Sequence, residues 1–188
     1  MSSLKIVGIA GSLRAQSYSK IVLDLLATLL PAGTQFESID IGTLPHYSLD
    51  LEQHALPASV KSARTLAAAS DAVLMVVPEY NHSLPGVFKN TLDWLSRPAF
   101  TGCMKGKPVF FITLSEGALG GVRAQSHMRE ALAAMLCQLP PLPEMAITHV
   151  GAKVVDGQFK DQASCDFIAK VLEQFLAQIQ TAELECQS

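Results

Sequence analysis

Three hydroxyls and one guanidinium crowd the stretch that follows the first apolar run: Ser12, Ser17 and Ser19, with Arg14 among them, come directly after Lys5–Ala10. A helix that starts at such a place offers unpaired backbone N–H groups and the positive end of its macrodipole. Hydroxyl donors and a permanent positive charge beside it therefore suit a phosphate. A plainer reading stands next to this one, in which Ser17 caps a helix and Arg14 is a solvated surface residue. The loop is neither GxxxxGK[ST] nor GxGxxG, so the phosphate it suits is a mononucleotide's.

Two later loops also carry unusual residues. Pro78–Gly86 leaves an apolar run on one proline and re-enters a helix on another, Pro85, which fixes backbone direction and leaves amides pointing outward. Tyr80 offers an aromatic face, and Asn81 offers both a donor and an acceptor, as the alternating edge of an isoalloxazine would require. The alternative is a rigid loop around a buried tyrosine. Ser115–Gly121 contains Gly117, Gly120 and Gly121, which permit close backbone approach either to a ligand or to a neighbouring strand.

The elements that must position these loops follow from hydrophobic pattern. Lys5–Ala10 reads as a buried strand, with Gly11 making the sharp turn out of the sheet. A helix over Ile21–Leu30 is stopped by Pro31 and Gly33, and Thr34–Ile41 alternates like a strand near a sheet edge. After an irregular loop over Gly42–Pro57, a helix runs over Ala58–Ala69. The continuous apolar run Ala72–Val77 suits a central parallel strand. A helix from Pro85 to Leu95, a strand over Pro108–Leu114, a helix over Val122–Cys137 and a strand near Met145–Val150 come next. Asp156-Gly157 marks a turn between short extended pieces, and Asp161 caps a terminal helix whose apolar face includes Phe167, Val171 and Phe175. Strand and helix alternate five times, which predicts an α/β fold: a doubly wound, five-stranded parallel sheet with helices on both faces. Ligands bind such sheets at the carboxyl ends of the strands, where all three unusual loops fall. A phosphate cradle and two ring-framing loops together describe a flavin mononucleotide site in a flavodoxin-like fold.

Composition narrows the class. The 188 residues are expected to form a single domain, 1–188, long enough to bury about 70% of the unfolded surface. With 49% hydrophobic and 16% charged residues, a net charge of −3 and no polybasic run, nucleic acid and anionic membrane are not expected as partners. No apolar stretch reaches the roughly 20 residues of a membrane span, and Met1–Lys5 runs straight into the first strand, so a cytoplasmic location is expected. Cys103, Cys137, Cys165 and Cys186 show neither CxxC nor metal-like spacing and read as packing or surface thiols. The five histidines are dispersed, and the spacing of His46 and His54 matches no common metal site.

GSLRxxS, standing as Gly11–Ser17, followed by PEYNxSxPGxxKNxLDWxSR, standing in full as Pro78–Arg97, resembles the NADPH-dependent FMN reductase family, which includes quinone, chromate and azo-dye reductases. Ser115–Arg123 and the run from Leu44 to Glu52 are similar to family segments as well. The resemblance implies FMN as cofactor and NADPH or NADH as co-substrate, with reducing equivalents passing to a small-molecule electron acceptor such as a quinone, free flavin, an azo dye or chromate. It implies that Ser12, Arg14, Ser17 and Ser19, with Leu13 in the same motif, bind the cofactor at its phosphate. Pro78, Glu79, Tyr80 and Asn81 would hold the ring edge, and Ser115 and Gly117 would approach the ring. Ser19 departs from the asparagine many relatives carry. Because the flavin carries the chemistry, no side chain is assigned as catalytic, and Glu79, Glu116 and His82 are helpers at most. Trp94 reads as core or interface packing. Relatives are commonly dimers or tetramers, so a homodimer or homotetramer is expected. An FMN-bearing electron carrier or redox-responsive binding module is the competing class, disfavoured by the low net charge and the absence of an acidic block.

Overall fold

A computed structural model describes residues 3–186, with side chains as far as Thr181. The expectations placed on the first two residues and on the Cys186 thiol lie outside the described residues. Lys5–Ala10 forms β1, Gln35–Ser38 β2, Ala72–Pro78 β3, Val109–Leu114 β4 and Ala146–Ile147 β5. These strands make one parallel sheet in the order β2-β1-β3-β4-β5. The helices are α1 (Tyr18–Thr28), α2 (Leu49–His54), α3 (Ala58–Ala69), α4 (Gly86–Leu95), α5 (Val122–Ala134) and α6 (Gln162–Cys186). Val154–Val155 (β6) and Gln158–Phe159 (β7) pair antiparallel around Asp156 and Gly157, whose φ values of 51° and 72° make the tight turn.

Alternation along the strands sorts the core into two layers. Ile6, Leu74, Phe110 and Ile112 face α1 and α6, where they meet Leu23, Leu26, Val171 and Phe175. Val7, Ile9, Met75 and Val109 face α3, α4 and α5, where they meet Val60, Phe88, Leu92 and Met128. Every residue of β3 is buried, as a central strand covered on both faces requires. The chain leaves β1 for α1 on one face and β3 for α4 on the other. The connections thus diverge between β1 and β3, the point at which this strand order binds its ligand.

Several boundaries differ from the sequence reading. α1 begins at Tyr18 because Ser17 is its N-cap. β2 ends at Ser38, since the Asp40 carboxylate accepts the Gly42 N–H at 3.0 Å and folds Ile41–Thr43 into a 3-10 turn. The loop over 42–57 holds the short helix α2. α5 stops at Ala134, ahead of Leu136 in the left-handed region at φ 59°. The last strand shrinks to two residues because His149, at φ 49°, turns the chain back beneath the loop after β4. Asp161 does cap α6: its carboxylate accepts the Ser164 N–H at 3.1 Å and the Lys153 ammonium at 2.9 Å. Those bonds hold its pKa down at about 2. Among the described residues no helix is long and apolar enough to cross a membrane.

Candidate active site

The loop after β1 is anchored to β3. The Gly11 N–H donates to the Val76 carbonyl at 2.8 Å, and a Cβ on Gly11 would stand 2.9 Å from Pro78 Cδ. Its φ is not left-handed, so the glycine serves close approach rather than the sharp turn expected of it. Ser12 Oγ accepts the Arg14 N–H at 3.3 Å and meets the Tyr80 hydroxyl at 3.3 Å. Ser17 occupies the N-cap of α1 without capping it; its hydroxyl pairs instead with Ser19 Oγ at 2.6 Å, and both are buried. Among the described residues the N–H groups of Tyr18, Ser19 and Lys20 have no protein acceptor, as expected of a first helical turn. The Arg14 guanidinium stacks 4.5 Å from the centroid of the Tyr18 ring, which parks the charge beside that turn.

The loop after β3 is a type I′ turn. Tyr80 and Ser83 exchange both backbone hydrogen bonds at 2.9 Å, and Asn81 and His82 between them have φ values of 48° and 64°. Tyr80 is half exposed, which excludes the buried-tyrosine alternative. The side chain of Glu79 turns away to the start of α5. Its Oε2 accepts the N–H groups of Arg123 at 3.0 Å and Ala124 at 3.2 Å, and its Oε1 stands 3.6 Å from the Arg123 guanidinium.

The loop after β4 is held from below by the segment after β5. The His149 N–H donates to the Gly117 carbonyl at 3.1 Å, and the Val150 N–H donates to the Ser115 carbonyl at 3.0 Å. The Ser115 hydroxyl reaches the Gly117 carbonyl at 3.2 Å. Gly121 is the N-cap of α5 with a left-handed φ of 84°, and a Cβ there would press on Thr113 at 3.0 Å. Gly117 differs: its Cβ position meets nothing nearer than Ser115 Oγ at 3.8 Å. The protein itself leaves that space open.

These loops enclose a cavity of about 270 Å³. Loop one contributes Ser12, Arg14, Ser17 and Ser19; loop two contributes Pro78, Glu79 and Tyr80; loop three contributes Ser115. Leu13, Asn81 and Gly117 are not among its lining residues. Leu13 instead leans toward Gly42 and borders a neighbouring cleft of about 380 Å³. Glu116, expected to be a helper at most, also lines the cavity, as do Tyr18, Leu114 and Val150, which were not singled out from sequence. Tyr18 meets Arg14 across the turn at residues 15–16 that precedes α1, and Val150 is brought in by the turn at His149. A larger cleft of about 730 Å³ lies at the opposite end of the strands, beside Asp71 and Lys107, away from all three loops.

The second motif does structural work as well. Asn90 accepts the Tyr47 N–H at 2.7 Å and donates to the Pro45 carbonyl at 2.9 Å, a carbonyl that Trp94 Nε1 also reaches at 2.7 Å. Trp94 is fully buried and holds Tyr47 edge-on at 4.9 Å, in line with a packing role. Burial pushes the Cys137 thiol up to about 12 and raises Cys103 and Cys165 as well. Among the described residues no three His, Cys, Asp or Glu side chains gather as a metal site would need.

A flavodoxin-order sheet with hydroxyls, a guanidinium and free amides at the β1/β3 divergence defines a mononucleotide-binding α/β protein. The sequence model of the NADPH-dependent FMN reductases matches residues 4–152, and the chain belongs to that family. It is 37% identical over 176 residues to a 2-hydroxy-1,4-benzoquinone reductase of Burkholderia sp, covering 93% of this chain and 96% of that one. It is 36% identical to an NAD(P)H-dependent FMN reductase of Pseudomonas aeruginosa, covering 90% and 92%. Among solved structures, FerB, a flavoenzyme NAD(P)H:(acceptor) oxidoreductase from Paracoccus denitrificans, superposes with a TM-score of 0.84 at 34% identity, over 95% of this chain and 98% of that chain. The protein is an FMN-dependent NAD(P)H oxidoreductase that serves a small-molecule acceptor. The residues fit the cofactor: buried hydroxyls, a stacked guanidinium and unpaired amides on the α1 side of the cavity, and a half-exposed tyrosine from the loop after β3.

Proposed function

We propose that the cavity takes FMN phosphate-first, and that the enzyme is a quinone reductase. Ser12, Arg14, Ser17 and Ser19 hold the phosphate with the free amides of α1, and Leu13 covers the outer side of that loop. The backbone of Pro78–Asn81 holds the ring edge, and Ser115 and Gly117 lie against the ring. When bound, FMN supplies two-electron chemistry between a nicotinamide and the acceptor. The chain's own part is binding, orientation and water exclusion: the type I′ turn fixes outward amides, and the Arg14–Tyr18 stack fixes the positive charge before the phosphate arrives. The observation that carries this reading is one cavity lined from all three strand ends, cationic and hydroxyl-rich at α1 and aromatic at Tyr80.

A quinone as acceptor is supported by the relative that reduces 2-hydroxy-1,4-benzoquinone. NAD(P)H and quinone use the same opening in turn, which gives ping-pong kinetics. Residues 1–188 act as one FMN-binding domain in a cytoplasmic homodimer or homotetramer. Steady-state rates with NADPH and NADH against benzoquinones, free FMN, azo dyes and chromate test the assignment. Parallel double-reciprocal lines with a quinone as best acceptor are expected; intersecting lines, or no quinone turnover by flavin-loaded protein, would refute it.

A further inference from the structure

We infer that Glu79 is a positioning residue whose carboxylate locks the ring-edge loop to the ring-face loop by capping α5. The N-cap of α5 is Gly121, which has no side chain to satisfy the first amides of the helix. The cap comes from 44 residues away: Glu79 Oε2 accepts from Arg123 and Ala124, the second and third residues of the helix, and its negative charge meets the positive end of the helix dipole. The Arg123 guanidinium at 3.6 Å adds to this and leaves the carboxylate side chain only 10% exposed. On its backbone side, Glu79 donates its N–H to the Leu114 carbonyl at 3.1 Å and leads into the Tyr80–Ser83 turn. Ser83 Oγ reaches His127 Nδ1 at 2.9 Å, a second tie from the same turn to α5.

The consequence is mechanical. The turn at 80–83 and the glycine loop before α5 leave paired strands, β3 and β4, whose ladder ends at Pro78 and Leu114. Beyond that ladder the Glu79 carboxylate, with Ser83 on His127, ties the two loops, and it is spent on helix amides rather than offered to a ligand. This inference rests on the reading that Pro78–Asn81 and Ser115–Gly117 hold the flavin ring, and it predicts an effect on the ring and none on the phosphate.

Three variants and one measurement on the wild type test it. In native protein, hydrogen exchange of the Arg123 and Ala124 amides is expected to be slow despite their first-turn position, and fast in Glu79→Ala. Glu79→Ala is expected to bind FMN, riboflavin and lumiflavin each about 3- to 30-fold more weakly, by one common factor, with a shifted visible flavin band. Glu79→Gln, which keeps an accepting oxygen, is expected to stay within about 3-fold of wild type. Arg123→Ala, which keeps the amide, is expected to do the same. Fast exchange of both amides in wild type would overturn the cap, and this readout needs no variant to fold. Glu79→Gln as weak as Glu79→Ala, or losses confined to FMN, would overturn the positioning role. Failure of the FMN reading itself would look different: slow amide exchange with no flavin bound by the wild-type chain.

Discussion

The hydroxyls of Ser12 and Tyr80 meet at 3.3 Å and join the loop after β1 to the loop after β3 across the point where the connections diverge. At that length, with Tyr80 half exposed, the bond contributes at most about 1 kcal/mol. Its value is directional, since it aims the tyrosine ring over the cavity. Tyr80→Phe is expected to leave the unfolding midpoint within a few degrees and FMN affinity within about 5-fold. Ser12→Ala, which also removes a proposed phosphate contact and the acceptor of the Arg14 N–H, should lose more, and the double variant should lose less than the sum of the two single losses. Additive losses in that cycle, read by flavin fluorescence titration, would show that the two hydroxyls act separately.

Gly117 tests where the ring lies. Because the protein leaves its Cβ position open, Gly117→Ala should melt within about 0.5 kcal/mol of wild type without flavin. With the ring against that backbone, the added methyl should weaken FMN binding by about 1–3 kcal/mol. An unchanged flavin affinity would move the ring away from this loop.

Trp94 should separate stability from turnover. Trp94→Phe removes the bond to Pro45 and part of a buried ring, so it should cost about 1–3 kcal/mol in urea unfolding. Activity per bound FMN should not change. A large loss of activity with intact flavin content would make Trp94 part of the substrate site.

Thiol chemistry should be absent from turnover. Burial holds Cys137, Cys103 and Cys165 protonated near neutral pH, where the reactive thiolate is scarce. Replacing all four cysteines should leave activity per bound FMN within a few-fold, and alkylation of the folded wild type at these three positions should be slow. Inactivation by stoichiometric iodoacetamide at one of them would contradict this.

Asp161 sets an acid limit on the C-terminal segment. Hydrogen bonds from Ser164 and the Lys153 ammonium lower its pKa from 3.8 to about 2, so the folded state favours the carboxylate. The stability it supplies is therefore fully present above about pH 4 and lost as pH falls through about 2. Asp161→Asn should be less stable than wild type at pH 6, and the gap should close below pH 3. A gap that persists at pH 2 would assign the effect to packing rather than charge.

Much of this site was legible in the residues. The apolar runs of β1, β3 and β4 and the loops that follow them could be placed because parallel strands buried on both faces read as unbroken hydrophobic stretches. β5 was placed within Met145–Val150 but too long, because its end depends on a left-handed His149 that no local pattern marks. The residues of the proposed cradle, Ser12, Arg14, Ser17 and Ser19, stand out by type, but the Ser17–Ser19 pairing at 2.6 Å needed the helix start to be seen. Glu79 looked like a ligand contact, since its partners Arg123 and Ala124 lie on an element that sequence distance hides. The packing of Tyr47 on Trp94 was hidden for the same reason.

The central claim is that Arg14 and the amides of α1 hold the phosphate of FMN. Titrating flavin-free wild type and Arg14→Ala with FMN and with riboflavin tests it most directly. Charge-assisted hydrogen bonds contribute about 1.5–3 kcal/mol, so FMN should bind Arg14→Ala about 10- to 150-fold more weakly. Riboflavin, which has no phosphate, should bind both proteins alike. Equal losses for the two flavins, or none for FMN, would contradict the phosphate cradle.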